Sequence, residues 1–316
     1  MQTLCAHSEE NTHHRGDDDA ASPAVSSPTW RRRPIFVVCC MIMAFCCMFA
    51  GSLSTTTQAS ALTVPGIDRQ DDNESSLSPC EQALKSGLRS QQQMSYAMPS
   101  SYRLLSAESA RHQWNEVAVQ CPERFAEGTV HSALATYQAQ RLATQLKIKL
   151  SDAPSPALTE SLQWDMDADE ASALSVAEDR EAFALEVLAA RKNADQRLYR
   201  LSDQRKLNAQ LLADAVEQED DARQRVYSVA ALLGNKSDTT VDPSNGMQAP
   251  TVAVLEMNCA LEQLQALADT EEAESSDGDK QSAREQTLAA ASNLIAAHMY
   301  QAFTDGYPAV ESLLLR

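Results

Sequence analysis

From Ala157 to Leu233 the chain contains no Pro and no Gly. Apolar residues step through it by threes and fours: Phe183, Val187, Ala190, Ala194, Leu198 and Leu201, then Leu212, Ala215, Ala222, Val226, Val229 and Leu233. That spacing keeps one face of an α-helix apolar with a near-heptad beat. A single helix of about 60 residues would span about 90 Å, far beyond what its neighbours could cover. The stretch is therefore expected to fold back between Asn193 and Asp203, where the beat slips and Ser202 could cap a new helix. Arg205 and Asn208 fall on the apolar stripe of its second half. Such residues either fix helix register or form a buried site, and register is the simpler reading.

The flanking sequence extends the helical pattern. Ser78-Pro79 suits an N-cap with Pro at the first helical position, giving a helix to about Met94. Ser100-Ser101 mark a break, and Ser106-Ala107-Glu108 opens a helix that Pro122 interrupts. The pattern resumes from Glu123 to about Leu150, with Gly128 weakening its first turns. After the loop 151–156, helices are expected near 158–193, 202–233, 251–270 and 281–303, the last ending at Asp305-Gly306-Tyr307-Pro308. Residues 234–250 have loop composition, and 309–316 form a tail with room for one turn. Aromatics are only 5% of the chain, so the core must rest on Ala, Leu and Val. The expected class is all-α: an up-down antiparallel bundle of four to six helices over residues 79–308.

Ahead of the bundle lies an address. Arg31-Arg32-Arg33 precede the apolar run Ile35–Ala50, and Ala59-Ser60-Ala61 follows. A basic flank, an apolar run and a small-x-small site are the parts of a secretory signal peptide, here residues 1–61. The alternative is an uncleaved anchor through residues 35–51 with the N-terminus inside. Residues 62–78 read as a disordered tether. Both versions place the bundle outside the cytoplasm, secreted or associated with the cell envelope. Arg15-Gly16-Asp17 precedes the signal, so it is taken as a chance match.

The formal charge is −18, and removing residues 1–61 takes five acids and four bases, leaving −17. Such a body repels phosphate backbones, so no nucleic-acid partner is expected. Membrane contact is expected only through the N-terminal segment. Beyond the signal three cysteines remain. Export favours a disulfide, Cys80–Cys121 being the expected pair, with Cys121–Cys259 the rival. Closing that loop would contribute about 3–4 kcal/mol in the chain-entropy account.

Sites with chemistry are few. Asp165-Met166-Asp167-Ala168-Asp169 begins like a calcium loop, but Glu170 stands where Gly is needed and Val176 where a bidentate Glu is needed. An acidic helix start is the simpler reading. Glu108 and His112, and Glu127 and His131, are four apart, and His298 lacks a Glu three residues before it. None has the Glu-x-x-His spacing of a di-iron bundle. Trp114 and Trp164 are read as packing anchors, and no phosphate loop or nucleophile elbow is present.

The run Ala177-Glu178-Asp179-Arg180-Glu181-Ala182-Phe183, with Leu185 and Leu188, is similar to the opening helix of exported actinobacterial ferritin-like bundles. Leu201 to Leu212, with Asp203-Gln204-Arg205, resembles their second helix. The resemblance spans about 174–233. Because the family's usual His ligands are missing, it implies a fold and not iron chemistry. The sequence thus supports a non-enzymatic binding or structural module with a protein or envelope partner, its acids facing water and no cofactor implied. The alternative is a ferritin-like bundle with a ligand- or metal-dependent activity, for which Glu178, Glu181 and Glu256 are the candidate ligands.

Overall fold

Ser78 starts the first helix as its pairing with Pro79 requires. Its hydroxyl accepts the Glu81 N–H at 3.2 Å, and the Glu81 carboxylate accepts the Ser78 N–H at 2.8 Å. The computed structural model describes residues 77–95, 98–150, 154–159, 164–215, 221–235, 237–268 and 278–315. The expected signal segment and cleavage site, Arg15-Gly16-Asp17 and nearly all of the expected 62–78 tether lie outside the described residues.

The described residues are mostly helical. Helix α1 (Pro79–Ser95) is followed by α2 (Ser100–Gln120), a 3-10 turn at Pro122–Arg124, and α3 (Phe125–Leu146). Then come α4 (Ala168–Arg191), α5 (Gln196–Ala213) and the short α6 (Ala230–Gly234). Two short strands, β1 (Thr239–Val241) and β2 (Gln248–Pro250), precede α7 (Thr251–Ala268), α8 (Gly278–Thr304) and the terminal turn α9 (Glu311–Leu314). Among the described residues no helix is long and apolar enough to cross a membrane.

Several boundaries differ from the sequence expectation, each for a local reason. Helix α2 begins at Ser100 and not at Ser106, because the Pro99 carbonyl already accepts the Arg103 N–H at 3.0 Å. Helix α3 stops at Leu146, where Lys147 turns left-handed with φ 57°. Helix α4 begins ten residues later than expected. Asp167 and Glu170 cap it reciprocally, with the Glu170 N–H donating to Asp167 Oδ1 at 2.7 Å. The described residues before it, 154–159 and 164–167, are not helical, and side chains satisfy part of their backbone: Leu158 N–H donates to Asn208 Oδ1 at 3.1 Å and Asp165 N–H to Thr287 Oγ1 at 2.7 Å.

The fold-back falls at the near edge of the expected window. Asn193 and Ala194 take φ of 56° and 62°, and Asp195, not Ser202, caps α5 through the Arg197 and Leu198 N–H groups. Ser202 lies inside α5 and donates to the Ala182 carbonyl at 2.8 Å, tying α5 to α4.

The helix expected through Leu233 ends at Ala213. Asp214, Glu217, Glu219, Asp220 and Asp221 follow. A run of acids at this point in the sequence is unfavourable for continuing a helix, since negative charge opposes the negative end of its dipole. Beyond them, Asp221 accepts the Arg223 N–H at 3.0 Å in a local turn, and Val226, expected on the apolar stripe, is 70% exposed. Tyr227 anchors this segment by donating to Asp179 at 2.8 Å. The loop-like 234–250 region also holds the antiparallel β1–β2 pair, whose turn is closed by Asp242 accepting the Ser244 N–H at 2.8 Å.

Packing runs along the chain and across it. Helix α2 lies on α1 and α3, α4 on α5 and α7, and α7 on α8. Helix α8 also contacts α2 and α3, so it joins the first three helices to the rest. A disulfide joins Cys80 to Cys121 with Cα atoms 5.0 Å apart, and Cys259 is a buried free thiol. The core is rich in Ala, which lets backbones approach closely.

Gly128 marks the tightest approach. A Cβ there would sit 2.5 Å from the Ala118 nitrogen and 2.7 Å from the Trp114 carbonyl oxygen. Helix propensity alone favours Ala over Gly by about 1 kcal/mol. Backbone atoms cannot swing aside as a side chain can, so Gly128→Ala is expected to destabilise by about 2–3 kcal/mol through overpacking. Denaturant unfolding of the variant checks this, and a stabilised variant would refute the close α2–α3 approach.

Candidate functional site

Four helices each direct polar residues onto one point of the interior. Glu178 and Glu181 stand three apart on α4, and Arg205 and Asn208 three apart on α5. Glu256, Cys259 and Gln263 follow a three-then-four spacing on α7, and His298 comes from α8. These spacings keep each set on one helix face. Glu178, Arg205, Asn208, Glu256, Gln263 and His298 are all fully buried, while Glu181 is 4% and Cys259 3% exposed.

Arg205 sits at the middle. It donates to Glu256 Oε2 at 2.7 Å and to the Pro156 carbonyl at 3.0 Å. Its Nε lies 3.1 Å from Glu181 Oε2 and 3.9 Å from Glu178 Oε2, a charge contact not aligned as a hydrogen bond. Asn208 donates to Glu178 Oε2 at 3.2 Å and to the Pro156 carbonyl at 2.8 Å. Gln263 donates to Glu178 Oε1 at 2.9 Å.

His298 bridges two carboxylates: Nδ1 is 2.9 Å from Glu256 Oε2 and Nε2 2.8 Å from Glu178 Oε1. Two ionised acceptors require both ring nitrogens to donate, so the ring is an imidazolium. Burial and the Arg205 charge oppose that cation. Glu178 and Glu256 outweigh them and hold its pKa up to about 9.

The three acids divide by surroundings. For Glu256 burial favours the neutral form, but Arg205 and His298 prevail and hold it down to about 2. Glu178 is lowered in the same way, by His298, Arg205 and Gln263 against its burial. Glu181 goes the other way: burial and the nearby Glu256 charge push it up to about 8 against Arg205 and His298. Burial, then Glu181 and Glu178, push the Cys259 thiol well up. At neutral pH two carboxylates therefore balance two cations, and Glu181 is a neutral acid. Some polar capacity is left over. Neither Glu181 oxygen, nor Glu256 Oε1, nor Gln263 Oε1 has a hydrogen-bond partner.

This corrects the expectation that the acids stay in water. The three candidate acids Glu178, Glu181 and Glu256 converge in the interior, as does Arg205, and Glu170 is also buried, paired with Arg284 at 2.6 Å. Asn208 joins the cluster and also sets the path of 154–159. The other sequence candidates lie elsewhere. Glu108 pairs with Arg111 and Glu127 with Arg124. His131 is buried, stacked on Trp114 with ring centroids 4.2 Å apart. Asp167 is a helix cap, as described above.

Sequence reasoning missed Cys259, Gln263 and His298. Their signal is the polar series Glu256, Cys259, Gln263 inside the apolar run Val252–Leu267. A di-iron ligand set is not assembled here: the cluster brings together one His and an Arg where two Glu-x-x-His pairs would be needed.

A second feature lies apart from the cluster. A groove of about 800 Å³ runs along α1, α2, α3 and the C-terminal turn, lined by Trp114, His131, Tyr137, Arg103, Arg141 and Glu311 among others. Comparison of the chain with protein-family models, with curated proteins and with solved structures finds no match.

The cluster makes stability depend on pH with a definite sign. Glu181 binds its proton more tightly folded than unfolded, so its contribution is lost as pH rises from about 4.5 to about 8. The folded pKa of His298 is likewise raised, and its contribution fades between about 6.5 and about 9. Glu256 acts oppositely, losing its contribution as pH falls from 4.5 toward about 2. Each proton released on unfolding lowers stability by about 1.4 kcal/mol per pH unit. Glu181→Gln keeps the neutral shape and removes the first titration. Unfolding free energies measured from pH 5 to 8 should therefore fall less steeply in the variant, and parallel slopes would refute the neutral Glu181. Arg205→Met leaves the buried acids without their central cation and should cost about 3–5 kcal/mol in the same assay.

Proposed function

We propose that the protein is an exported helical-bundle module, secreted or held at the cell envelope, that works by binding and not by catalysis. One observation carries this reading: the charged cluster is sealed inside, while a groove of about 800 Å³ lies on another part of the molecule. Glu178, Arg205, Glu256 and His298 have no exposed surface, which leaves a substrate no route to them in this conformation. The groove is within the size range of small-molecule sites.

Export is supported by the basic flank, apolar run and small-x-small site before residue 62, with anchoring through residues 35–51 as its variant. The Cys80–Cys121 bond suits an oxidising compartment. An up-down helix order is supported by the short links 96–99, 121–124 and 192–195.

The groove's chemistry narrows the ligand. Trp114 and His131, both lining it, stack on each other, and the Arg141 guanidinium lies 5.7 Å from the Tyr137 ring centroid. Burial holds the His131 pKa down, so that ring is neutral. The groove therefore sets Arg103 and Arg141 against the single acid Glu311 in a chain of net charge −18. A flat apolar body bearing an acidic group is the complementary ligand.

Anilinonaphthalene sulfonate, an aromatic anion, is a suitable probe for the full chain. Saturable one-to-one binding is expected, weakened at least about tenfold by the pair Arg103→Gln and Arg141→Gln, as loss of charge-assisted contacts predicts. Undiminished binding in a folded double variant would sink the assignment.

A further inference from the structure

The geometry points to a closed four-ligand site for a zinc-class divalent cation at Glu178, Glu181, Cys259 and His298. One ligand atom from each of these residues lies within 4.8 Å of every other. In a tetrahedral zinc site, bonds of about 2.0–2.3 Å place ligand atoms about 3.3–3.8 Å apart, so a contraction of about 1 Å closes the set. Carboxylate, thiolate and imidazole are the donors a borderline-soft cation takes, and a site with every position filled by protein is the structural kind.

The second observation is Glu181. Its side chain is 2% exposed and lies among the other three donors; Oε2 stands 3.1 Å from Arg205 Nε and 3.5 Å from His298 Nδ1, and neither oxygen is in an aligned hydrogen bond. A buried carboxyl that meets its neighbours only through unaligned charge contacts keeps hydrogen-bonding capacity that a cation could take up.

The surrounding residues fit the role of supports. With Nε2 of His298 turned to the cation, Nδ1 keeps its 2.9 Å contact with Glu256 Oε2. A carboxylate behind a ligating imidazole fixes the tautomer and orientation of the ring. Gln263 holds Glu178 at 2.9 Å, and Arg205 stands against Glu181 and Glu256, offsetting the charge of the acid-rich shell. Cation entry takes one proton each from the Cys259 thiol, the Glu181 carboxyl and the His298 imidazolium, leaving thiolate, carboxylate and neutral imidazole, with the three protons released to solvent. No oxidant or other reactant is needed. The site holds one cation and uses a cysteine, which separates it from a two-metal carboxylate centre.

Cobalt is the probe, added to chelator-treated full chain. One equivalent should bind, with a thiolate-to-cobalt band in the near ultraviolet and the intense visible bands of four-coordinate cobalt, all displaced by zinc. Cys259→Ser should abolish the near-ultraviolet band. Glu256→Gln, which leaves all four ligands in place but removes the charge behind His298 and beside Arg205, should weaken cobalt binding about 10–100-fold. Should the Cys259 variant fail to fold, X-ray absorption of zinc-loaded wild type reads the same point: one sulfur at about 2.3 Å with nitrogen and oxygen at about 2.0–2.2 Å. No stoichiometric cobalt uptake, a band that survives Cys259→Ser, or a shell without sulfur overturns the proposal.

Discussion

A guanidinium without any exposed surface is a constraint that the rest of the fold must satisfy. Arg205 cannot shed its proton, so its charge must be matched inside the protein. It reaches Glu256 on α7, stands against Glu181 and Glu178 on α4, and binds the Pro156 carbonyl of the segment leading into α4. His298 then joins Glu256 to Glu178, which brings α8 to the same point. Shift any of these helices by one turn, about 5.4 Å, and at least one buried charge loses its partner. Ion pairs of this kind add little net stability over a well-packed apolar core, because their desolvation cost nearly cancels the attraction. Their effect lies in discrimination, since wrong registers leave a charge uncompensated.

That discrimination matters because the apolar core has little of its own. Ala107, Ala110, Ala118, Ala133, Ala139, Ala171, Ala182, Ala189, Ala209, Ala253 and Ala260 are buried, and their methyl groups have few distinguishing shapes. Alanine faces slide past one another at small cost, whereas interlocked large side chains do not. The larger fully buried anchors include Trp114, Phe125 and Phe303 among the aromatics, with Leu174, Leu185, Leu198, Leu212, Met257, Ile295 and Met299. Register must then come from directional contacts. Besides the charged cluster, Ser202 to the Ala182 carbonyl and Ser175 to the Ala209 carbonyl tie α5 to α4, and Thr129 to Ser292 ties α3 to α8. Each is a small hydroxyl that replaces a methyl-sized gap with a fixed distance.

The helices themselves were legible wherever a local signal acted alone. Ser78-Pro79 capped as expected, the run Thr251–Ala268 emerged nearly to the residue, and Gly306 closed α8 with φ 103°. Legibility failed where tertiary partners overrode local pattern. Residues 154–159 lack Pro after Pro156 and could have joined α4, but Asn208 claims the Leu158 N–H that a helix would need. The capping pair Asp167 and Glu170 was present in the sequence but obscured by the calcium-like run around it. The apolar beat beyond Ala213 did not carry the helix on: it ends at Ala213, the described residues 221–229 are not helical, and only the short α6 at Ala230–Gly234 resumes it.

The cluster was half visible for a related reason. Each polar residue on an apolar stripe has a sufficient local explanation as a register marker, so Arg205 and Asn208 on one helix, or Glu256 on another, do not declare a site singly. Their charges are informative only together. An arginine on a buried stripe demands carboxylates on the stripes that face it, and this chain places Glu178, Glu181 and Glu256 at such positions with His298 as the second cation. Three acids against two cations leave one carboxyl in excess. Either it keeps its proton, or another cation joins the cluster, and the identity of that balancing charge follows from the packing of the helices and not from any motif within one of them.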